Sequence, residues 1–150
     1  MCLTHCKWQT HNFIEGDVPC FENAPLEVIF LDSNLLTGTV PACLLNKPYI
    51  EQIHLSTNFL RGTIPEGWGM SRDPGAACPG QSGCSLLSVK IANANLEGPL
   101  PSLCQDEACE SVLMPRIAIF DLSQNHLAGP LPPSIMQVWR RICSLYQRHC

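Results

Sequence analysis

Charge is scarce in this 150-residue chain: 15% of its residues are charged, and 13 acids against 9 bases leave a net charge of −4. A surface that grips phosphates needs clustered Lys and Arg, so this balance, with a pI near 5.6, argues against nucleic acid as a partner. The one basic cluster, Arg140-Arg141 with Arg148, is too short to reverse that. Long apolar runs are missing as well. None approaches the roughly 20 residues that a membrane helix requires, and the first residues are polar, without the apolar stretch of a secretory signal. No kinase motif, glycine-rich nucleotide loop or Asn-x-Ser/Thr sequon is present. Cysteine, by contrast, is abundant. Ten in 150 residues are hard to reconcile with a reducing cytosol. With no signal in view, they point to a fragment or mature segment of a larger secreted protein, extracellular or at the cell surface.

What the chain has is a repeat. Leu26, Ile29, Leu31, Asn34, Leu36, Gly38, Val40 and Pro41 set a spacing that recurs as Ile50, Ile53, Leu55, Asn58, Leu60, Gly62, Ile64 and Pro65. It returns as Leu86, Val89, Ile91, Ala94, Leu96, Gly98, Leu100 and Pro101, and again as Ile117, Phe120, Leu122, Asn125, Leu127, Gly129, Leu131 and Pro132. Successive copies start 24, 36 and 31 residues apart, so insertions interrupt the array at 66–85 and 102–116. Upstream, Asn12, Ile14, Gly16, Val18 and Pro19 reproduce only the second half of the pattern, because Gln9 stands where an inward leucine belongs. One domain is expected: 1–25 a partial repeat or N-terminal cap, 26–132 four repeats, and 133–150 a helical C-terminal cap or truncated repeat. The tail reading rests on Ile135, Val138/Trp139, Ile142 and Leu145/Tyr146 at helical spacing after Pro132-Pro133-Ser134.

Within each repeat, aliphatic residues such as Ile53 and Leu55 alternate with polar neighbours, the period-2 signature of a half-buried strand. Each return of the chain brings the next strand alongside in the same direction, so a parallel sheet grows by about 4.8 Å per coil of the array. The asparagine amide can satisfy backbone groups where the chain turns, glycine permits the second turn, and proline stiffens the exit. No single repeat buries its own leucines. Stacking at least three does.

The pattern LxxLxLxxNxLxGx(I/V/L)P resembles the plant-type leucine-rich repeat of receptor-like kinase and receptor-like protein ectodomains and of polygalacturonase-inhibitor-type proteins. The likeness covers roughly Asn12 to Pro132. It implies an α/β solenoid of about four to five repeats, a right-handed superhelix with a parallel β-sheet on its concave face. The chain departs from the pattern at Ala94, where the asparagine ladder should break or shift, and at the two insertions. The family's paired-cysteine N-terminal cap is not recognisable.

The cysteines fall in close pairs, Cys2/Cys6, Cys78/Cys84, Cys104/Cys109 and Cys143/Cys150, with Cys20 and Cys43 at near-equivalent places in consecutive coils. Local disulfides plus a Cys20–Cys43 staple form the simplest of many connectivities. A zinc site on Cys78, Cys84, Cys104 and Cys109 is the sharper alternative, although only the second pair has a usual zinc spacing. Cys2, Cys6 and His11 lack a fourth ligand, so no metal or cofactor is expected. Catalysis has little support. Of His5, His11, His54, His126 and His149, only His54 is expected on the concave face; Asp106, Glu107 and Glu110 read as a solvated loop tip, and solenoids offer open surfaces rather than water-excluding pockets.

The concave face is the candidate site. Down one column the repeats offer Phe30, His54, Lys90 and Asp121, varied in chemistry while the inward columns stay aliphatic. With Asp32, Gln52, Ser56, Asn93 and Ser123 they make the expected ligand-binding set, for a protein, peptide or glycan ligand. The rival readings are an intracellular or structural repeat scaffold without a dedicated ligand, and an inhibitor-type secreted repeat protein.

Overall fold

A computed structural model of the chain describes residues 10–22, 24–45, 47, 49–66, 86–102, 117–136 and 139. Both insertions apart from their first residues, Glu66 and Ser102, every cysteine except Cys20 and Cys43, His5, His149, Gln9, the tail residues Val138, Ile142, Leu145 and Tyr146, and the basic cluster lie outside the described residues.

The elements are short and repeat with the sequence. In chain order they are β1 (Glu15–Asp17), β2 (Val28–Phe30), β3 (Leu35–Thr37), α1 (Ala42–Leu45), β4 (Gln52–His54), β5 (Gly62–Thr63), β6 (Ser88–Lys90), β7 (Leu96–Gly98), β8 (Ile119–Asp121) and β9 (His126–Leu127). Strands β2, β4, β6 and β8 form one parallel four-stranded sheet, in that order. Its register pairs repeat equivalents throughout: Ile29 with Ile53, Ile53 with Val89, and Val89 with Phe120. The 36- and 31-residue returns preserve the register of the 24-residue one.

A second layer of strands was not anticipated from the pattern. The Leu-x-Gly segment of each coil pairs in parallel with its neighbours, β1 with β3 and β5 with β7 and β9. Here the partners are not repeat equivalents. Gly62 faces Leu96 and Glu97 faces His126, two residues short of the equivalents Gly98 and Ala128. At about 3.3 Å per residue, this two-residue slip offsets each segment of this layer along its neighbour. The glycine serves close approach as well as turning: a Cβ on Gly98, at φ +79°, would lie 2.8 Å from Thr63 Cγ2 in the coil before.

The core lies between the two layers. Leu26, Ile50, Leu86 and Ile117 fill one buried column, Ile29, Ile53 and Val89 another, Leu31, Leu55 and Ile91 a third, and Leu36, Leu60 and Leu96 a fourth. Burying such a side chain stabilises by about 1.5–3 kcal/mol, and together they belong to one hydrophobic cluster. In the last coil Phe120, Leu122 and Leu127 are only partly buried and Leu131 is 71% exposed.

Between the layers each coil turns through one left-handed residue just before the asparagine position. His11, Ser33, Thr57, Asn93 and Gln124 all have φ between 51° and 56°. That conformation costs about 1–2 kcal/mol for a non-glycine residue. It is offset by hydrogen bonds that reach the next coil, as where Ser33 N–H donates to Ser56 O at 2.9 Å and Thr57 N–H to Ala92 O at 2.8 Å. The asparagines then lock the turn. Asn58 Nδ2 donates to Leu31, Leu55 and Ser56 carbonyls while its Oδ1 accepts from Leu36 N–H. Asn34 and Asn125 do likewise. At Ala94 the ladder breaks as expected, and Asn125 Oδ1 accepts from both Ala94 and Leu96 amides. A second left-handed residue, Asn95 at φ 52°, follows only there among these turns.

The Cys20–Cys43 staple is present, with Cα atoms 5.7 Å apart, and it ties the half-coil to the first full one. After Pro132 the chain becomes helical at Ser134–Met136, with Ile135 N–H donating to Pro132 O.

Candidate functional site

The four-stranded sheet carries two columns on the face away from the core: Val28, Gln52, Ser88 and Ile119, then Phe30, His54, Lys90 and Asp121. Side chains alternate across a strand, so both columns stand opposite the buried Ile29, Ile53 and Val89. His54 is the centre of the constellation. Its ring lies 4.5 Å from that of Phe30, and its Nε2 shares a hydrogen bond with Ser88 Oγ at 2.8 Å. Its Nδ1 stands 3.9 Å from Asp32 Oδ2. Burial among these neighbours lowers the imidazole pKa from its ordinary 6.5; Asp32 opposes the shift and the Lys90 ammonium reinforces it. Asp121 is also lowered, chiefly by hydrogen bonds from the Ser123 hydroxyl and amide.

Asp32, His54 and Ser88 are the residue types of a hydrolytic triad, but the geometry is that of a structural network. Ser88 is only 4% exposed and its hydroxyl is held by the imidazole. Asp32 Oδ2 is beyond hydrogen-bond reach of the ring, and Oδ1 accepts from the Ser56 amide at 2.8 Å. An acyl-transfer site also needs free donors aimed at an oxyanion. Here the adjacent amides of Leu55 and Ile91 donate to Lys90 and Asp121 carbonyls in the ladder. The trio orients the imidazole towards the open face.

The nominated residues divide by position. Phe30, Gln52, His54, Lys90 and Asp121 share the sheet face. Asp32 and Ser56 sit one step beyond the strand ends, where they hold backbone: Asp32 accepts from Ser56 N–H, and Ser56 Oγ accepts from Ala92 N–H at 3.1 Å. Ser123 N–H donates to Asp121 Oδ1, so those two close a local turn. Asn93 is displaced from the expected set. It occupies the left-handed turn and lines a groove at the edge of the stack, because the chain has already left the strand there. Of the histidines, His54 lies in this sheet, whereas His126 belongs to β9 in the other layer.

Sequence reading missed that groove. It measures about 480 Å3 and takes in Phe13, Leu35, Phe59, Asn93 and Asn95. A signal was available: the place after the ladder asparagine holds Phe13, Leu35 and Phe59 in three successive coils, where a solvent-facing residue is expected. Among the described residues no group of three His, Cys, Asp or Glu is placed to hold a metal ion, and no helix is long and apolar enough to cross a membrane. The cysteines of the zinc alternative lie outside the described residues.

No protein-family model matches the sequence, and no curated protein matches it. Solved structures do. The Arabidopsis receptor kinase HAESA, in complex with the peptide hormone IDA and the co-receptor SERK1, is similar at a TM-score of 0.66 and 23% identity, over 85% of this chain and 18% of that one. The leucine-rich-repeat ectodomain of GASSHO1/SCHENGEN3 from Arabidopsis thaliana, in complex with CASPARIAN STRIP INTEGRITY FACTOR 2, gives 0.61 and 24%, over 82% and 13%. Pollen Receptor Kinase 3 gives 0.55 and 25%, over 81% and 50%. The chain thus spans less than a fifth of the first two and half of the third. With the repeat pattern, the stacked parallel strands and these likenesses together, the chain has the leucine-rich-repeat solenoid fold that these receptor-kinase structures share.

Proposed function

We propose that this chain is a recognition module that binds an extended peptide or a protein segment on its concave sheet face, as part of an extracellular receptor-like protein. The observation that carries the reading is the Phe30–His54–Lys90–Asp121 column. Four side chains of different chemistry stand in register about 4.8 Å apart, above a column kept aliphatic by packing. Such a row offers an aromatic plane, a neutral imidazole, a cation and an anion in sequence, enough to read an extended ligand side chain by side chain. HAESA and GASSHO1/SCHENGEN3 are seen with a peptide hormone and an integrity factor, respectively, which supports a peptide ligand here. The Cys20–Cys43 disulfide supports an oxidising, extracellular setting over an intracellular scaffold.

The test is selection of a displayed random-peptide library on the purified protein, followed by calorimetry of the enriched peptides. Replacing Phe30, His54 and Lys90 together by alanine should weaken them at least about tenfold, since aromatic and charged anchors dominate such interfaces. Unchanged affinity in that variant would remove the concave face from consideration. Ten free thiols on natively purified protein, counted by mass spectrometry without reductant, would overturn the extracellular assignment.

A further inference from the structure

The edge groove is chemically unlike the concave face. It lies along the turns that join the two strand layers, and none of its lining side chains is charged. Phe13 and Phe59 are 85% and 58% exposed, an unusual state for phenylalanine, and Leu35 between them is 37% exposed. Because they occupy the same repeat place two coils apart, their backbone positions recur at about 10 Å, twice the sheet spacing. Around them stand polar groups with hydrogen-bonding capacity to spare. The Asn34 and Asn58 amides are consumed by the ladder, whereas no hydrogen bond to a described residue engages the side chains of Asn93, Asn95 or Thr57.

We propose that this groove is a binding site for a neutral, β-linked oligosaccharide, distinct from the concave peptide face. Sugar rings present apolar C–H faces that stack on aromatic planes, and rims of hydroxyls that pair with planar amides. The groove supplies both, and its lack of charge suits an uncharged ligand and disfavours uronic-acid polymers or phosphates. The spacing of the two repeat positions is close to the advance of a two-sugar unit in an extended β-1,4 chain, so Phe13 and Phe59 can stack on alternate sugars that present the same face. Asn93 and Asn95 then bond hydroxyls at one end of the site. The volume falls within the range of ordinary small-ligand sites. Leu35 keeps the floor between the rings apolar.

The full chain would be titrated with cellohexaose, xylohexaose and mannohexaose, and with hexagalacturonate as the charged control, by calorimetry and by NMR of side-chain amides. At least one neutral hexasaccharide should bind, shifting Asn93 and Asn95 amide signals. Phe13→Ala and Phe59→Ala should each weaken it about tenfold or less, the scale of a single aromatic contact. Both residues are exposed, so the variants should retain the wild-type thermal midpoint. The Phe30/His54/Lys90 triple-alanine variant should bind the sugar as wild type, which separates this site from the concave one. Absence of binding by every neutral hexasaccharide at millimolar concentration would overturn the proposal. So would binding untouched by Phe59→Ala, or sedimentation showing that Phe13 and Phe59 are the contact between two copies of the chain.

Discussion

Asn58 illustrates how much of this fold hangs on single polar side chains. It is 5% exposed and its carboxamide joins two coils, accepting from the Leu36 amide and donating to the Leu31 carbonyl as well as to its own turn. Asn58→Ala would leave the buried Leu36 amide without its partner, while the Leu31 carbonyl keeps Asn34 Nδ2, at a cost of about 1–3 kcal/mol, seen as a lower urea midpoint with an unchanged slope. A wild-type midpoint would mean that water replaces the ladder. His54 yields a pH prediction. Its folded pKa lies below the ordinary 6.5 because burial disfavours the imidazolium. The unfolded chain therefore binds the proton more readily as pH falls below 6.5, and stability declines from there down to the folded pKa. Above 6.5 the residue contributes no slope. His54→Gln should flatten this part of the stability–pH curve. Asp121 acts in the same direction at lower pH, since its lowered pKa gives stability above 3.8 that is lost as acid protonates it.

At the level of elements, short strands of two or three residues persist because each is paired on a neighbour in the next coil. Strand β1 is the weak member. It belongs to a half-coil that has no concave strand among the described residues, and all three of its residues are exposed. The Cys20–Cys43 bond, spanning 23 residues, anchors that half-coil to the first full repeat. A loop of that size corresponds to about 3–4 kcal/mol in the chain-entropy account. Replacing both cysteines by serine should lower the thermal midpoint and raise amide exchange first at Glu15–Asp17. Uniform loss of protection along the array would show instead that the staple supports the whole stack.

The molecule as a whole behaves as a row rather than a ball, in which each coil is stabilised by its neighbours. Inner and outer substitutions should therefore differ. Ile53→Ala removes a fully buried side chain flanked on both sides and should cost about 2–5 kcal/mol. Leu122→Ala, at a partly buried position of the last coil, should cost clearly less in the same denaturation measurement. Equal losses would contradict the one-dimensional picture. The same architecture explains the tolerance of the insertions. Additional residues after Pro65 and Pro101 leave the concave register intact, because pairing depends on the strand segments alone.

The repeat was legible because leucine spacing, asparagine and glycine each report a local requirement that recurs. Inward columns, parallel pairing, the break at Ala94 and the half-coil at Asn12–Pro19 all follow from such spacing. The second strand layer was not legible, since its strands of two or three residues carry no apolar alternation of their own and their register slips by two. Nor was the division of the polar residues. Asp32 and Phe30 look alike as outward positions, yet one holds the Ser56 amide and the other packs on His54. Asn93 left the nominated face because a left-handed turn redirected it. The sequence alone determined which side chains are buried, a matter of hydrophobic pattern. Only the tertiary structure decided which exposed side chains are spent on backbone and which face a ligand. That choice depends on distances between coils, which residues 20 to 31 places apart in the chain cannot declare locally.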